Sequence, residues 1–515
     1  NDADFSPVLL SIDPAEHGDP RIMPSVLYFN PDGSVLAGRS ALALAEIQPT
    51  NAVTSIKRAL GLRHMKSYAG REYDATTITS KIIEQLLERA EDGLFRLGDY
   101  KTPRQAVVTV PIEFNNSQRR ALLEACRVAG LDMPDTSQHG VVIDEAHAAA
   151  LYYLSRKAAD ADISDAPEKV LIFDFGGGTL DCALVEIERV SSRMVLRTLA
   201  PGGNPKLGGE DIDWALVGVL ADKAKRAFPA FDLNCLGDEQ KFEHLYRVPE
   251  VMIAAYRTRS RFKREAESAK IALTEIPKVE FKIEPLFKIE ATPFEPYIMN
   301  GNGLASFDVQ LTRDELQAVL EPFIVASERV VATLCERARV RPDEVQTILH
   351  VGRTSKLPLV RERINAMLPN AVDHSDLVEP KVCVALGAAF WGYIKDHPDT
   401  NFEFVGVGNQ LIHDLGYITL DGMQEVFRPV FTARTEYPCE RVLNFPRKDF
   451  INIRLAENRG KNPRIRDNAE ISRIGNVRID ARGVSGDELP VVFRINDNQI
   501  LEIIANDHRQ AIELD

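Results

Sequence analysis

The sequence lacks several features that mark specialised classes of protein. None of its six cysteines forms a Cys-x-x-Cys pair, so zinc-binding and thiol-redox motifs are not indicated and a reducing compartment is expected. No apolar run approaches the roughly 20 residues needed to span a bilayer, and no secretory leader is apparent. The composition therefore predicts a cytoplasmic protein with no membrane partner.

The chain also has fewer basic than acidic residues. The 62 Lys and Arg residues face 76 Asp and Glu residues, which gives a net charge of −14. This acidic balance argues against general binding to nucleic acid or to anionic membrane surfaces. The chain has 515 residues, of which 44% are hydrophobic and 27% are charged. It can therefore bury more than one core, and we expect two to four domains.

A glycine-rich segment between two apolar runs is the most informative stretch of the chain. The run Val170–Phe173 ends on Asp174, three glycines follow, and a second apolar run begins at Cys182. This pattern predicts a strand, a turn and a strand, with main-chain amides open to phosphate oxygens. Asp174 and Asp181 would repel phosphate unless Mg²⁺ lay between them. The alternative is a glycine hairpin with two turn-favouring aspartates. A P-loop is not indicated, because no Gly-Lys-Ser/Thr follows.

Strands and helices alternate in the first part of the chain, whereas short strands alone follow. The first predicted strand is Val8–Ile12, and a second glycine-rich turn is predicted at Gly202–Asp211. The later part has short alternating runs separated by turns, which is typical of an antiparallel β-sandwich. We therefore expect an α/β nucleotide-type domain at 1–396, a linker at 397–408 and an all-β domain at 409–515.

Seven segments occur in the order and spacing of one known family. They are AVVTVPIEFNNSQRRALLEACRVAGL (Ala106–Leu131), IDEAHAAALYY (Ile143–Tyr153), FDFGGGTLD (Phe173–Asp181), LGGEDID (Leu207–Asp213), ESAKIALT (Glu267–Thr274), ILHVGRTSKLPLV (Ile348–Val360) and VALGAA (Val384–Ala389). Together they make the chain resemble the heat-shock protein 70 chaperones over nearly its whole length. The resemblance implies an α/β fold, with an actin-like (ribonuclease H-like), two-lobed ATPase domain followed by an all-β sandwich.

The resemblance also implies catalytic residues for ATP hydrolysis. Lys57 matches a lysine near the γ-phosphate, where a cation would stabilise the transferred phosphoryl group and help orient water. Without the resemblance, a solvated helix lysine is the simpler interpretation. Glu145 matches a catalytic-site glutamate, with an acid favoured by a helix N-terminus as the alternative. Asp174 matches the carboxylate that organises the hydration shell of the metal, and Thr179 matches a donor to the γ-phosphate.

The cofactors that the resemblance implies are ATP or ADP and Mg²⁺. The nucleotide-contacting residues would be Gly176, Gly177, Gly178, Gly208, Gly209, Glu210, Glu267, Lys270, Thr274, Gly352 and Arg353. The first three match the phosphate cradle. The others match main-chain and side-chain contacts to the ribose and adenine of the nucleotide. Asp181 would join Asp174 in holding Mg²⁺ through water.

The sequence departs from the family pattern at several positions. No Asp-x-Gly-Thr phosphate loop is present, and because the sequence begins at Asn1 we expect it to be a fragment. Arg353 replaces a glycine, and its side chain would either stack on the base or block it. Ile271 replaces an arginine that usually faces the adenine. The proposed linker, with Thr400–Gly408, lacks the leucine-rich run of the family. We therefore expect weaker or different coupling between the domains.

Unfolded or extended polypeptide is the implied substrate, bound by strand-like hydrogen bonds. The peptide-binding groove would be lined by the loops around Thr419–Met423 and by the strands near Phe431 and Val442. A J-domain co-chaperone and a nucleotide exchange factor are the further partners that the resemblance implies. The sequence stops at Asp515, before a helical lid, and a lidless groove would release peptide fast.

The resulting hypothesis is an ATP-dependent chaperone, which is an ATPase if the full-length protein has the missing loop. The alternative is a nucleotide-binding scaffold with little or no hydrolysis, whose β domain binds one dedicated protein. A small-molecule kinase of the actin-like fold is disfavoured by the β-sandwich.

Overall fold

The structure is a computed structural model of the chain. It describes residues 7–13, 19–62, 65–133, 141–158, 166–191, 193–231, 249–288, 295–397, 399–405, 411–460, 462–465, 471–482, 486–506 and 508–512.

Helices occur only before the final β region, within the residues described. They are α1 (Gly38–Ile47), α2 (Ala75–Arg96), α3 (Asn116–Val128), α4 (Glu145–Ala158), α5 (Gly209–Ala227), α6 (Pro249–Ala272), α7 (Arg313–Ala338), α8 (Pro358–Met367) and α9 (Cys383–Asp396). Capping explains where α3 begins. The Asn115 side chain accepts from the Gln118 amide at 2.9 Å, and the Gln118 side chain accepts from the Asn115 amide at 3.1 Å. This reciprocal pair satisfies two amides that the helix leaves unpaired.

The strands fall into three groups along the chain. The first group is β1 (Leu27–Phe29), β2 (Val35–Ala37), β3 (Ala52–Val53), β4 (Lys66–Tyr68), β5 (Arg71–Tyr73), β6 (Val108–Val110) and β7 (Val142–Asp144). The second is β8 (Glu168–Phe175), β9 (Leu180–Val190), β10 (Arg193–Asn204), β11 (Lys278–Ile283), β12 (Met299–Asn300), β13 (Gly303–Leu304), β14 (Phe307–Thr312), β15 (Thr347–Val351), β16 (Val372–Asp373) and β17 (Phe402–Val405). The third is β18 (Asp414–Asp421), β19 (Gln424–Phe431), β20 (Cys439–Pro446), β21 (Phe450–Asn458), β22 (Ile471–Asp480), β23 (Glu488–Ile495), β24 (Leu501–Ala505) and β25 (His508–Gln510).

A six-stranded sheet forms the centre of the second lobe, which we define as β8 to β17 with α5 to α8. Its strand order is β16-β15-β8-β9-β10-β17, with β8, β9 and β10 antiparallel to their chain neighbours. Along β8, Leu171, Phe173 and Phe175 belong to one core, whereas Val170 and Ile172 belong to another. Because side chains alternate along a strand, this apolar run buries the sheet on both faces.

The first lobe, defined as β1 to β7 with α1 to α3, has smaller sheets. Its strands form a three-stranded sheet in the order β2-β1-β3, the hairpin β4-β5 and the parallel pair β6-β7. Helices α4 and α9 pack against each other between the lobes. A Cβ added at Gly387 of α9 would lie only 1.7 Å from the Ala148 carbonyl oxygen of α4. The small-residue patch of α9 therefore allows the two helix backbones to approach closely.

The third group of strands forms a β-sandwich of two four-stranded antiparallel sheets, β19-β18-β21-β22 and β20-β23-β24-β25. The sandwich packs on the first lobe near the start of α3. The Asn116 amide donates to Glu457 Oε1 at 3.1 Å, and Asn116 Nδ2 donates to the Gln499 carbonyl at 3.0 Å. The Val141 amide donates to Asn498 Oδ1 at 2.9 Å. Backbone and side-chain hydrogen bonds thus join the two units.

Most of the predicted elements are present, with several corrections. The prediction of a strand at Val8–Ile12 is wrong, because residues 7–13 as described contain none. The predicted turn at Gly202–Asp211 is shorter, since β10 continues to Asn204 and α5 begins at Gly209. The sequence analysis also missed β17, which pairs in parallel with β10. Among the described residues no helix is long and apolar enough to cross a membrane.

Gly387→Ala tests the close packing of α4 and α9. We expect it to lower the free energy of unfolding by about 1–3 kcal/mol or more, because the added methyl group would force the helices apart. Gly218→Ala in α5 is the matched control, since its added Cβ would meet no atom within 4 Å. We expect the control to gain about 0.5–1 kcal/mol from helix propensity. Urea unfolding of both variants measures the difference, and equal stability would contradict the close contact.

Candidate functional site

The glycine turn between β8 and β9 is a tight hairpin with an open outer side. The Gly176 amide donates to the Thr179 carbonyl at 3.0 Å, and Asp174 faces Asp181 across the strand pair. A Cβ added at Gly177 or Gly178 would meet nothing within 4 Å. The predicted strand-turn-strand is present, and the main chain of its turn borders open space.

Two other glycine segments reach this turn through main-chain contacts. A Cβ at Gly208 would lie 2.5 Å from the Gly177 carbonyl oxygen. At Gly352, which has a φ of +78°, it would lie 2.4 Å from the Phe175 carbonyl oxygen. Any larger residue at either position would displace the backbone of the turn, so both must be glycine in this arrangement.

Helix α5 begins against the turn and holds its carbonyl groups. The Gly209 amide donates to the Gly176 carbonyl at 3.0 Å, and the Glu210 amide donates to the Gly177 carbonyl at 2.8 Å. The Thr354 hydroxyl donates to the Gly176 carbonyl at 2.8 Å. The two amide bonds satisfy donors at the helix N-terminus, and all three bonds hold the carbonyl groups of the glycine turn.

Lys57 and Glu145 form an ion pair on the first-lobe side of the cleft. Lys57 begins a 3-10 helical turn and Glu145 begins α4, and their Nζ and Oε1 atoms are 2.5 Å apart. The Lys57 side chain is 47% exposed, and its Nζ lies 5.8 Å from the centre of the Phe114 ring. Desolvation lowers the pKa of Lys57, but Glu145, Asp181 and Asp174 together outweigh it, so the pKa is raised. Lys57 therefore stays protonated at neutral pH.

The carboxyl group of Asp174 lies in the same electrostatic field. Burial, and then the charge of Glu145, raise the pKa of Asp174 to about 7, although Lys57 acts in the opposite direction. Burial and Glu145 also hold the pKa of Asp181 well above its ordinary value. A carboxyl group with a pKa near neutrality can exchange a proton under working conditions, which is a common property of functional sites.

Asp181 and Thr179 are bonded to each other. The Thr179 hydroxyl donates to Asp181 Oδ2 at 2.6 Å, and the Ile112 amide donates to Asp181 Oδ1 at 2.6 Å. Both oxygens of Asp181 therefore accept a hydrogen bond from the protein. Two roles stay predictions: donation by Thr179 to a γ-phosphate, and binding of hydrated Mg²⁺ by Asp181.

Two residues of the predicted nucleotide-binding set are ion-paired. Glu210 Oε1 lies 2.6 Å from Lys263 Nζ and accepts a hydrogen bond from the Ser55 hydroxyl at 2.8 Å. Lys270 Nζ lies 2.5 Å from Asp213 Oδ1. Because Lys270 also donates to the Gly209 carbonyl at 3.3 Å, its buried ammonium group supports the start of α5. A contact from Lys270 to ribose stays a prediction.

The remaining predicted residues lie at the edge of this region. Glu267 and Arg353 are exposed, and Thr274 is half-buried. The Thr274 hydroxyl donates to the Ile271 carbonyl at 2.7 Å. The Ile271 side chain itself is 60% exposed. The structure thus brings the glycines together with the Lys57–Glu145 pair and Asp174, while Glu267 and Arg353 are open to solvent.

Sequence reasoning missed Arg58, which crosses from the first lobe to the second. Its Nε donates to the Gly178 carbonyl at 3.2 Å, and its Nη1 donates to Asp211 Oδ1 at 2.9 Å. A second ion pair joins the two lobes, since Nη1 of Arg264 on α6 lies 2.8 Å from Oε2 of Glu46 on α1. The only available signal for Arg58 was its position next to Lys57, because the sequence does not show which residues face across a cleft.

The carboxylates and glycine amides suit a nucleotide with hydrated Mg²⁺. Among the residues described, no group of three or more His, Cys, Asp or Glu side chains is placed to hold a metal ion. Mg²⁺ commonly keeps several waters and binds through one or two carboxylates together with phosphate oxygens. Asp174 is positioned to supply such a carboxylate, and the open side of Gly177 and Gly178 leaves room for phosphate.

These features define the class of the chain, an actin-like, two-lobed α/β protein followed by a β-sandwich. The family model described as "Hsp70 protein" matches residues 62–515. The chain therefore belongs to the Hsp70 family, and the fold predicted from the resemblance is confirmed.

Relatives with the name "Chaperone protein DnaK" align with 95% of the chain. The one from Cenarchaeum symbiosum is 26% identical over 493 residues, which cover 66% of the relative. The one from Thermoplasma volcanium is 27% identical and covered to 70%, and the one from Nitrosopumilus maritimus is 25% identical and covered to 68%. The chain thus spans about two thirds of the length of these relatives.

The raised pKa of Asp174 predicts a pH-dependent stability. The ordinary pKa is 3.8 and the folded value is about 7, so between these values the folded chain holds a proton that the unfolded chain has lost. The free energy of unfolding should therefore fall as pH rises through this window. Asp174→Asn should remove this effect, so its stability relative to wild type should rise by at most about 3 kcal/mol from pH 5 to pH 8.

Urea unfolding of wild type and Asp174→Asn without nucleotide, at several pH values, measures this difference. A stability difference that does not change with pH would show that Asp174 ionises normally in the folded chain.

Proposed function

We propose that the chain is the ATPase and peptide-binding part of an ATP-dependent chaperone of the Hsp70 type. The observation that carries the proposal is the placement of the Lys57–Glu145 pair and Asp174 around the open side of the glycine turn. Cationic, carboxylate and main-chain donor groups are the components that phosphoryl transfer requires. Family membership and the DnaK relatives support the same proposal.

The site residues have distinct proposed tasks. ATP with Mg²⁺ would supply the phosphoanhydride bond and the charge neutralisation that its cleavage needs. Lys57 would hold positive charge near the transferred group, with its direction set by Glu145. Asp174, with its pKa raised to about 7, would orient water and accept a proton from it. Amides of Gly177 and Gly178 would donate hydrogen bonds to phosphate oxygens.

Strand β10 offers a physical connection from this site to the β-sandwich. One end of β10 places Gly203 opposite Asp181, and the other end pairs in parallel with β17, which precedes the sandwich. A second connection runs through Ile112, whose amide binds Asp181. In the next residue, Glu113, the Oε2 atom lies 3.0 Å from Nε2 of His413 in the sandwich. Movement at the cleft could thus alter the docking of the sandwich.

Lys57→Ala tests the proposed hydrolysis. We expect ATP affinity to change by less than about tenfold while the hydrolysis rate falls by orders of magnitude, because the lost cation acts mainly in the transition state. Isothermal titration with ATP and single-turnover phosphate release, both with Mg²⁺ and on full-length protein, measure these quantities.

Lys278→Ala is the control, since Lys278 is 59% exposed and pairs with Glu280 on β11, outside the glycine site. Wild-type turnover in Lys57→Ala would remove Lys57 from the mechanism. Tight binding of ATP by the wild-type protein without turnover would instead favour the nucleotide-binding scaffold.

Exposed apolar side chains on the sandwich support an extended peptide as substrate. Met423, Leu420 and Val442 are 95%, 64% and 58% exposed, and the first two lie at the β18–β19 hairpin. Phe431, however, is fully buried in the sandwich core. The groove is expected on the strand near Phe431, and since the Phe431 side chain packs between the two sheets, other residues of that strand would line it. This placement of the groove stays a prediction.

Leu420→Asp should weaken binding of an extended apolar peptide by about tenfold or more, because a charge would replace an apolar side chain that the bound peptide would bury. Fluorescence anisotropy of a labelled peptide, with ATP and with ADP, measures the affinity. Val190→Asp, at a 50% exposed valine of β9, controls for the added charge. Unchanged affinity in Leu420→Asp would exclude this hairpin from the peptide site. A J-domain co-chaperone, a nucleotide exchange factor and the cytoplasmic location remain predictions.

A further inference from the structure

A cavity of about 280 Å³ lies between α3 and the β-sandwich, and it is lined by none of the residues of the glycine site. One wall includes Arg120 and Arg127 of α3, and the other includes Asn498 and Arg509 of the sandwich. Since a water molecule occupies about 30 Å³ of liquid, the cavity has room for a small polyatomic ion with part of its water shell.

The arginines of the first wall lie on one face of α3. Arg120, Glu124 and Arg127 are spaced by four and three residues, which places them in neighbouring turns on the same side of the helix. Arg509 belongs to β25 and approaches from the sandwich. Three guanidinium groups from two units therefore border one cavity.

Arg120, which lines the cavity, also carries an unsatisfied donor. Its Nη1 atom is buried and has no hydrogen-bond partner among the residues described. Burial, and then the charge of Arg509, lower the pKa of Arg120, although Glu502 acts in the opposite direction. A buried charged donor without an acceptor is costly, and an anion in the cavity would relieve the repulsion between Arg120 and Arg509.

Two carboxylates near the cavity offset part of this charge. Glu124 Oε2 lies 3.5 Å from Arg127 Nη1, and Glu502 Oε1 lies 3.0 Å from Arg509 Nη2. Within the part of the chain that the structure describes, these two carboxylates against the three arginines leave one net positive charge, and Nη1 of Arg120 has no hydrogen-bond partner there. A monovalent ion would gain little from such a site, whereas a multiply charged oxyanion could accept from more than one guanidinium group.

We propose that this cavity binds a small phosphate-bearing anion that bridges α3 and the β-sandwich. The planar fork of arginine matches phosphate oxygens in a bidentate manner, and the amide group of Asn498 lies in the same wall. This inference goes beyond the proposed function and does not require that the chain hydrolyse ATP.

The position of the cavity gives the anion a consequence for domain docking. Its walls come together only while the sandwich lies on α3, so a ligand that contacts both walls binds the docked arrangement in preference to the separated one. Such a ligand stabilises docking by mass action, and docking in turn raises the affinity for the ligand. Phosphate concentration would therefore bias the arrangement of the two units.

Isothermal titration with sodium phosphate, and separately with sodium pyrophosphate, at constant ionic strength tests the proposal. We expect saturable binding that Arg120→Gln weakens about tenfold or more, because a charge-assisted hydrogen bond is lost. Hydrogen exchange of α3 amides should slow on addition of the anion in wild type only. Saturation by both anions indicates a site for free phosphate, and saturation by pyrophosphate alone indicates a site for phosphate esters or polyphosphates.

Arg341→Gln is the matched control, because it removes the same charge at a side chain that is 74% exposed and distant from the cavity lining. Full binding in Arg120→Gln would place the anion outside the cavity and overturn the proposal, as would failure of both anions to saturate wild type. If Arg120→Gln does not fold by circular dichroism, Arg509→Gln, at a 44% exposed side chain, provides the same comparison.

Discussion

Close approach of three main-chain segments is the constraint on which the candidate site depends. The turn after β8, the start of α5 and the residue after β15 meet with contacts that leave no space for a Cβ at Gly208 or Gly352. Amides at the start of α5 hold the carbonyl groups of the turn, so the opposite side of the turn stays open. The site is therefore built largely from backbone, and side chains enter it mainly from the first lobe and from the end of β8.

Electrostatics adds the chemistry to this backbone frame. Lys57 and Glu145 form a pair whose charges act on the buried carboxyl group of Asp174, and burial raises its pKa to about 7. Asp174 can therefore change its protonation near neutrality. Burial and Glu145 raise the pKa of Asp181 as well, and its two oxygens accept from the Thr179 hydroxyl and the Ile112 amide. The two acids of the hairpin thus share one electrostatic field but differ in their hydrogen-bond partners.

The junction with the β-sandwich carries polar groups that a simple connecting segment would not need. Strand β17 extends the central sheet, and the first lobe binds the sandwich through Asn116 and Glu457. The cavity near Arg120 adds a site where a ligand could act on the same junction. Nucleotide at the cleft and anion at the junction would then influence one docking equilibrium from two places.

The sequence by itself determined the alternation of strands and helices and the sandwich, because periodicity and capping are local properties. The order of seven motifs indicated the family through resemblance. The sequence also indicated the glycine turn and the Lys57, Glu145 and Asp174 set through the family resemblance. Only the tertiary structure decided the partners of these groups: that Arg58 crosses the cleft, that Phe431 is buried, and that β17 joins the sheet. Those facts depend on contacts between residues far apart in the chain, and local sequence patterns carry no information about such contacts.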